Sequence, residues 1–266
     1  MSSPVHPCPA NLLALWRHQC PLPSALRDPS TRGEGVRVAL IDTEVQWDIL
    51  RLRHPQTAEK HPSTSRMNPP AKSPTHGTLM ADILLHQAPG IHLHSHDVFL
   101  GRPTAEPEAM VSALAAIRQE GTCKVINLSL GIPEDRWDAP KWRTARQVLT
   151  REVLGCYRAG MVVVASAHNA HPILQSCPAD NPAPLISVAK AAFDDGLRLE
   201  YRPGDTAEFR ARETGYWGIA GSVSSSSSAA AHAAGLVCRL LGLERNLGPF
   251  EVKALLAWYA AGYGNA

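Results

Sequence analysis

Short apolar runs punctuate the chain, and longer amphipathic stretches separate them. VRVALI (Val36–Ile41), KVINLSL (Lys124–Leu130), MVVVASA (Met161–Ala167) and PLISVA (Pro184–Ala189) are dominated by aliphatic residues, many of them β-branched. Their near-continuous apolar character predicts strands buried on both faces, as in a parallel sheet covered by helices. Helices are predicted over HGTLMADILLHQ from His76, EPEAMVSALAAIRQ from Glu106, KWRTARQVLTREVLGCYRAG up to Gly160, and PFEVKALLAWYAAG from Pro249. Acidic residues open the second of these, glycine closes the third and proline starts the fourth, as helix termini favour. The alternation predicts an α/β fold in three layers, a doubly wound, mostly parallel sheet with helices on both faces.

The polar, proline-rich segment from Arg51 to Thr75 reads as a surface loop. Residues 1–34 are also rich in proline and read as a surface extension of the same domain, wrapped around a short helix near Leu12–Trp16; residues 35–266 form the domain proper. With 44% hydrophobic residues in 266, a sizeable core can be buried. A net charge of +2 with no basic run argues against a nucleic-acid partner. No run approaches the roughly 18 apolar residues of a membrane span. The N-terminus has neither the basic start nor the apolar stretch of a signal peptide, so a cytoplasmic address is expected. Six scattered cysteines without a CxxC pair argue against a zinc ribbon and for free thiols, with Cys123 and Cys238 in apolar segments and Cys8 and Cys20 near the start.

Four polar features stand where this fold would place chemistry. VALIDTE sets Asp42 directly after a buried strand, at the sheet edge where sites of open α/β folds form. HGT puts His76 at the front of an apolar helix, where a neutral imidazole can act as a base. VVVASAHNA is expected to end a buried strand at Asn169, whose amide can offer a donor to a developing oxyanion. GSVSSSSSAAAHAAG (Gly221–Gly235) has the composition of a linker, but it runs into an apolar helical segment. A serine there needs a neighbouring base to become a nucleophile.

In that order, the four features resemble the motifs of the subtilisin-like serine proteases, the subtilases: Asp-Thr-Gly after a strand, His-Gly-Thr opening a helix, an Asn ending a strand, and Gly-Thr-Ser-x-Ala-x-Pro-His-x-Ala-Gly opening a central helix. HGTLMADILLHQAPGIHLHSHDVF, VINLSLG and CPADNPAPLISVAKA are similar to further segments of that family, and the likeness runs from about Gly35 to Leu256. Asp42 and His76 are 34 positions apart, His76 and Asn169 93, and Asn169 and Ser227 58. The resemblance implies a subtilisin-like peptidase domain over 35–266 and a triad of Asp42, His76 and Ser227. It implies Asn169 and the Ser227 N–H as the oxyanion hole. Ser129, Leu130 and Gly131 would pair with the substrate backbone as an added strand, and Ser166, Ala167 and His168 would flank the pocket before the scissile bond. The aligned His232-Ala233-Ala234-Gly235 tail selects Ser227; Ser226 and Ser228 are the alternatives within the run.

The sequence departs from the family pattern at Glu44 and His168, each in place of glycine, at Ser225-Ser226 in place of Gly-Thr, and at Ala231 in place of proline. A side chain at His168 is expected to favour a small residue in the adjoining subsite, or to shift its specificity. No family-type propeptide is expected before the domain, a feature that resembles the intracellular or pathway-dedicated members restrained by narrow specificity or a regulatory partner. HLHSHD puts His92, His94 and His96 on one face of a strand, where imidazoles at i and i+2 can share a zinc. The family register instead makes it a core strand with partly buried, hydrogen-bonded histidines. Acidic loops able to give a calcium ion six or more oxygens are few, so no metal and no cofactor is expected. The expected activity is a serine endopeptidase acting on a restricted peptide or protein through an acyl-enzyme. The alternatives are a peptide ligase or macrocyclase, in which an amine resolves that intermediate, and an inactive binding scaffold that keeps the cleft.

Overall fold

The computed structural model describes residues 22–57, 73–181, 185–218 and 224–263. Cys8, Cys20, the helix expected near Leu12–Trp16, most of the expected loop before Thr75 and the head of the serine run (221–223) lie outside them. In chain order the elements begin with α1 (Leu22–Arg27), β1 (Arg37–Asp42), α2 (Trp47–Arg53), α3 (His76–Gln87), β2 (His92–Asp97) and α4 (Pro107–Glu120). They continue with β3 (Val125–Leu128), β4 (Ile132–Pro133), α5 (Pro140–Arg158), β5 (Val162–Ser166), β6 (Ser176–Cys177) and β7 (Ile186–Ala191). β8 (Leu199–Tyr201), β9 (Phe209–Arg212), α6 (Ser226–Leu243) and α7 (Pro249–Tyr263) complete the chain.

Seven strands form one sheet in the order β2-β1-β3-β5-β7-β9-β8, parallel throughout except for β8 against β9. The strands alternate between two cores. Val38, Leu40, Val162 and Val164 face α1, α3, α6 and α7, whereas Ala39, Ile41, Val163 and Ala165 face α4 and α5. Burial of both faces is why these strands read as continuous apolar runs. The connection after β1 runs to one side of it and the connection after β2 to the other, so β1 and β3 flank the switch point where such sheets bind ligands. At that edge Ile41 lies opposite Leu128, and the next residues of the two strands are Asp42 and Ser129.

Several expectations need correction. Arg51–Arg53 is the last turn of α2, not loop, because Trp47 and Leu50 pack on the core; a 3-10 turn (Pro55–Thr57) follows. The histidine-rich β2 is an edge strand, not a central one, and its histidines are half-buried. β5 stops at Ser166, three residues before Asn169. Cys123, Cys156, Cys177 and Cys238 are buried free thiols. Among the described residues, no helix is long and apolar enough to cross a membrane, and no three His, Cys, Asp or Glu side chains group as a metal site.

α6 crosses the sheet as a wholly buried stripe of small residues from Ala229 to Gly235. It packs on α3 closely enough that a Cβ on Gly235 would lie 2.4 Å from Cβ of Gln87. Beside this contact, His232 Nε2–H donates to the Thr214 carbonyl (2.9 Å), and its Nδ1 accepts from Gln87 Nε2 (2.7 Å). Burial holds its pKa down to about 4, so the imidazole is neutral.

Gly235→Ala adds about 1 kcal/mol of helix propensity but overpacks a closed contact at about 1–3 kcal/mol. A net loss of up to about 2 kcal/mol is expected, read as a fall in Tm of up to several degrees. His232 gives a second test. Unfolded chains take up its proton near pH 6.5, the native state only near 4, so stability falls as the pH drops between these values. Its share, at most about 3 kcal/mol, should vanish from urea titrations at pH 7 and pH 4.5 in His232→Gln.

Candidate active site

The HGT motif is explained residue by residue. Thr75 caps α3, its hydroxyl accepting the Thr78 N–H (3.3 Å) and donating to the Glu44 carbonyl. A Cβ on Gly77 would lie 2.1 Å from the Thr43 carbonyl oxygen, so only glycine lets α3 meet the end of β1 this closely. The Gly77 N–H donates to the Thr43 hydroxyl (2.7 Å), and buried Thr78 accepts the Gln46 N–H (2.8 Å). These bonds fix the start of α3 against the loop after β1 and leave His76, its first residue, facing Asp42.

Asp42 is 1% exposed, and its Oδ1 accepts the Thr43 N–H (2.7 Å) and lies 2.7 Å from His76 Nδ1. Its Oδ2 is buried with no partner among the described residues. Burial opposes the imidazolium form of His76, but the hydrogen bond and charge of Asp42 outweigh it, and the His76 pKa stands above its ordinary 6.5. The same bond directs the Nδ1 proton to Asp42 and leaves Nε2 as the basic nitrogen.

Ser224 to Ser228 prove to be structure, with each hydroxyl assigned. Ser224 Oγ donates to Glu213 Oε2 (2.8 Å). Ser225 is the N-cap of α6, its hydroxyl accepting the Ser228 N–H (3.1 Å) and lying 3.0 Å from Ser228 Oγ. Ser226 Oγ reaches the His168 carbonyl (3.4 Å), and Ser227 Oγ donates to the Ser129 carbonyl (3.1 Å). Ser226 and Ser228 are buried; Ser227 is half-exposed. Ser225 has φ −145° and ψ 146°, an extended conformation open to any residue, so its replacement of glycine carries no backbone strain.

Asn169 is exposed, and its Oδ1 accepts the Ser226 N–H (2.8 Å), which leaves its Nδ2 as the free donor end. The Ser226 and Ser228 N–H groups are thus taken by side chains. The Ser227 N–H is the first-turn donor left without a partner among the described residues. Asp42 and His76 are therefore joined, Ser227 is joined to Ser129, and Asn169 is joined to the helix that carries Ser227. No hydrogen bond links His76 to Ser227 in this arrangement. The Ser227 hydroxyl is directed at the Ser129 carbonyl instead.

Of the expected cleft residues, Ser129 is buried and accepts Asn127 Nδ2 (2.7 Å), while Leu130 and Gly131 are half-buried. Gly131 is pressed against β6: a Cβ there would lie 2.4 Å from Ser176 Oγ. Ser166 and Ala167 are buried, so His168 alone of that group is half-exposed, its Nδ1 accepting the Ala170 N–H (3.1 Å). Glu213 and Gln46 carry no sequence signal, since each acts on residues distant in the chain.

Residues 33–192 match the model of the subtilase family. The chain belongs to the subtilase family. This subtilase is thereby a member of a family of serine peptidases, and the matched residues hold Asp42, His76 and Asn169 but stop short of Ser227. No curated protein matches its sequence. Among solved structures it is similar to a lanthipeptide protease, with 16% identity and TM-score 0.58, over 86% of this chain and 82% of that one. The prenylagaramide maturation protease PagA has 20% identity and TM-score 0.60, over 88% and 86% of the two chains. A mutant of the protease domain of PatA has 20% identity and TM-score 0.59, over 85% and 86%. At these identities the likeness establishes the subtilisin-like fold.

The Asp42–His76 pair can be tested without a substrate. In Asp42→Asn the attraction is lost and burial remains, so the His76 imidazole should titrate below 6.5 instead of above it. The His76 ring-proton shift followed by NMR against pH reads the change directly.

Proposed function

We propose that this subtilase is a serine endopeptidase that trims a peptide precursor through an acyl-enzyme on Asp42, His76 and Ser227. The observation that carries the reading is the buried carboxylate of Asp42, 2.7 Å from His76 Nδ1 at the switch point of the sheet. The half-exposed Ser227 at the head of α6 supports it. In the reaction, the Ser227 hydroxyl turns from the Ser129 carbonyl to His76 Nε2 and gives up its proton as Oγ attacks the scissile carbonyl. Asp42 stabilises the imidazolium so formed. The oxyanion is received by Asn169 Nδ2 and the Ser227 N–H, the latter at the positive end of α6. His76 then protonates the leaving amine, and a water molecule, deprotonated by His76, releases the acyl group.

Ser129 to Gly131 leave the sheet between β3 and β4 and offer backbone groups for an added substrate strand. His168 stands in the wall of the subsite next to the scissile bond and narrows it toward small side chains. A peptide substrate is favoured by the titles of the similar structures, two of which name maturation or lanthipeptide proteases.

A fluorophosphonate probe tests the reading. It should label the wild type and the Ser226→Ala and Ser228→Ala variants but not Ser227→Ala; a wild type that stays unlabelled sinks the enzymatic reading. Asn169→Ala should lower kcat about 10²- to 10³-fold. Product masses separate water from an amine as the acyl acceptor.

A further inference from the structure

The turn that delivers Ser227 is held from outside its own motif. Glu213 follows β9, and its N–H donates to the carbonyl of Ala191, the last residue of β7 (3.0 Å), so its backbone continues the sheet. Its carbonyl accepts the Ser225 N–H (3.0 Å), and its carboxylate accepts the Ser224 hydroxyl (2.8 Å). Ser225 in turn caps α6. A half-buried carboxylate thus connects the rigid end of the sheet to the two residues before the helix start. In the family pattern, Gly-Thr stands at the positions of Ser225 and Ser226.

We propose that Glu213 is a positioning residue for the nucleophile: by holding Ser224 and the N-cap Ser225 against β7, it sets where the Ser227 hydroxyl and N–H stand. It does not touch substrate and acts only through the turn. The proposal rests on the reading of Ser227 as nucleophile. Its logic is chemical compensation. A turn made of serines has no glycine to fix its path by close approach, so side-chain hydrogen bonds must select one conformation from many. The carboxylate is a strong acceptor for a hydroxyl donor, and it lies near the N-terminus of α6, where negative charge is favoured.

The test compares Glu213→Ala, Glu213→Gln, Ser224→Ala and the double variant Glu213→Ala/Ser224→Ala. Fluorophosphonate acylation at saturating probe reads reactivity, and hydrogen–deuterium exchange of residues 224–230 reads order in the turn. Glu213→Ala should slow acylation about tenfold with unchanged probe affinity and Tm, as a small misplacement of a nucleophile does. Exchange over 224–230 should rise. Glu213→Gln keeps an oxygen acceptor for Ser224 and should recover most of the rate. Ser224→Ala should match Glu213→Ala, and the double variant should be no slower than either single one, since both remove the same bond. Equal acylation and exchange in wild type and Glu213→Ala would overturn the proposal, as would additive losses in the double variant. If Glu213→Ala fails to fold, Ser224→Ala carries the test alone, and wild-type behaviour in that variant overturns it. A labelled wild type with an equally labelled Glu213→Ala rejects the positioning role only, whereas an unlabelled wild type rejects the nucleophile reading and the positioning role with it.

Discussion

The contact of α3 with α6 is the constraint on which the site depends. Each helix carries one residue of the proposed triad at its first turn, His76 on α3 and Ser227 on α6, and the two helices meet at Gln87 and Gly235. From that crossing the distance back to His76 is about 16 Å and to Ser227 about 12 Å at 1.5 Å per residue. At such reach a tilt of about 4° displaces a helix start by about 1 Å, and a misplacement of that size costs about a hundredfold in rate. For the proposed mechanism, the absence of a side chain at Gly235 is therefore a requirement met far from the reacting atoms. The hydrogen bond between Gln87 and the neutral His232 locks the same crossing from the side.

The rest of α6 is fixed by the same means, close approach and saturated polar groups. Arg239 is buried, yet its guanidinium donates to the carbonyls of Leu26 (2.6 Å), Asp28 (2.6 Å) and Gln87 (2.8 Å). These are the carbonyl ends of α1 and α3, where helix dipoles favour a cation. Burial disfavours its charged form, but three acceptors stand in for water. Further along, a Cβ on Gly242 would lie 2.8 Å from Cα of Gly33. The segment before β1 is thus part of the scaffold that aims Ser227. On the outer side of α3, buried Asp82 accepts Arg53 Nε (2.7 Å) and lies 2.9 Å from His54 Nε2, while Arg53 also donates to the Tyr216 carbonyl (3.1 Å). That network ties α2 and the chain around Tyr216 to the helix that carries His76.

What was legible in the sequence follows from the range of each interaction. Strands buried on both faces announce themselves as apolar runs, and α3 and α7 begin where their capping residues stand. HGT was legible because its three residues are contiguous at one helix start, although their partners Asp42, Thr43 and Gln46 lie 32 to 34 positions away. The edge position of β2 was not, since alternation along a strand reports which residues share a face and says nothing of how many neighbours the strand has. α2 escaped because its polar residues, Asp48, Arg51 and Arg53, outnumber its single buried leucine. The β8–β9 pair escaped because FRAR and LEY are too short and too polar to carry a pattern. Glu213 was beyond reach, because neither a lone glutamate nor a run of serines specifies the other.

The serine run itself shows two ways to hold one conformation. Glycine permits a path that side chains forbid, but it leaves the unfolded chain freer and must be held by its surroundings. Serine at 225 occupies an extended conformation that needs no glycine, and its hydroxyl caps the helix. Each further serine binds a different wall: Glu213 for Ser224, the loop after β5 for Ser226 and the end of β3 for Ser227. A hydrogen bond of this kind contributes about 1 kcal/mol net, so no single one fixes the turn. Their partners, however, lie on three different strand ends of one sheet. A turn bound to three strand ends can shift only if the sheet deforms, and that makes an apparent linker into the rigid entrance of a buried helix.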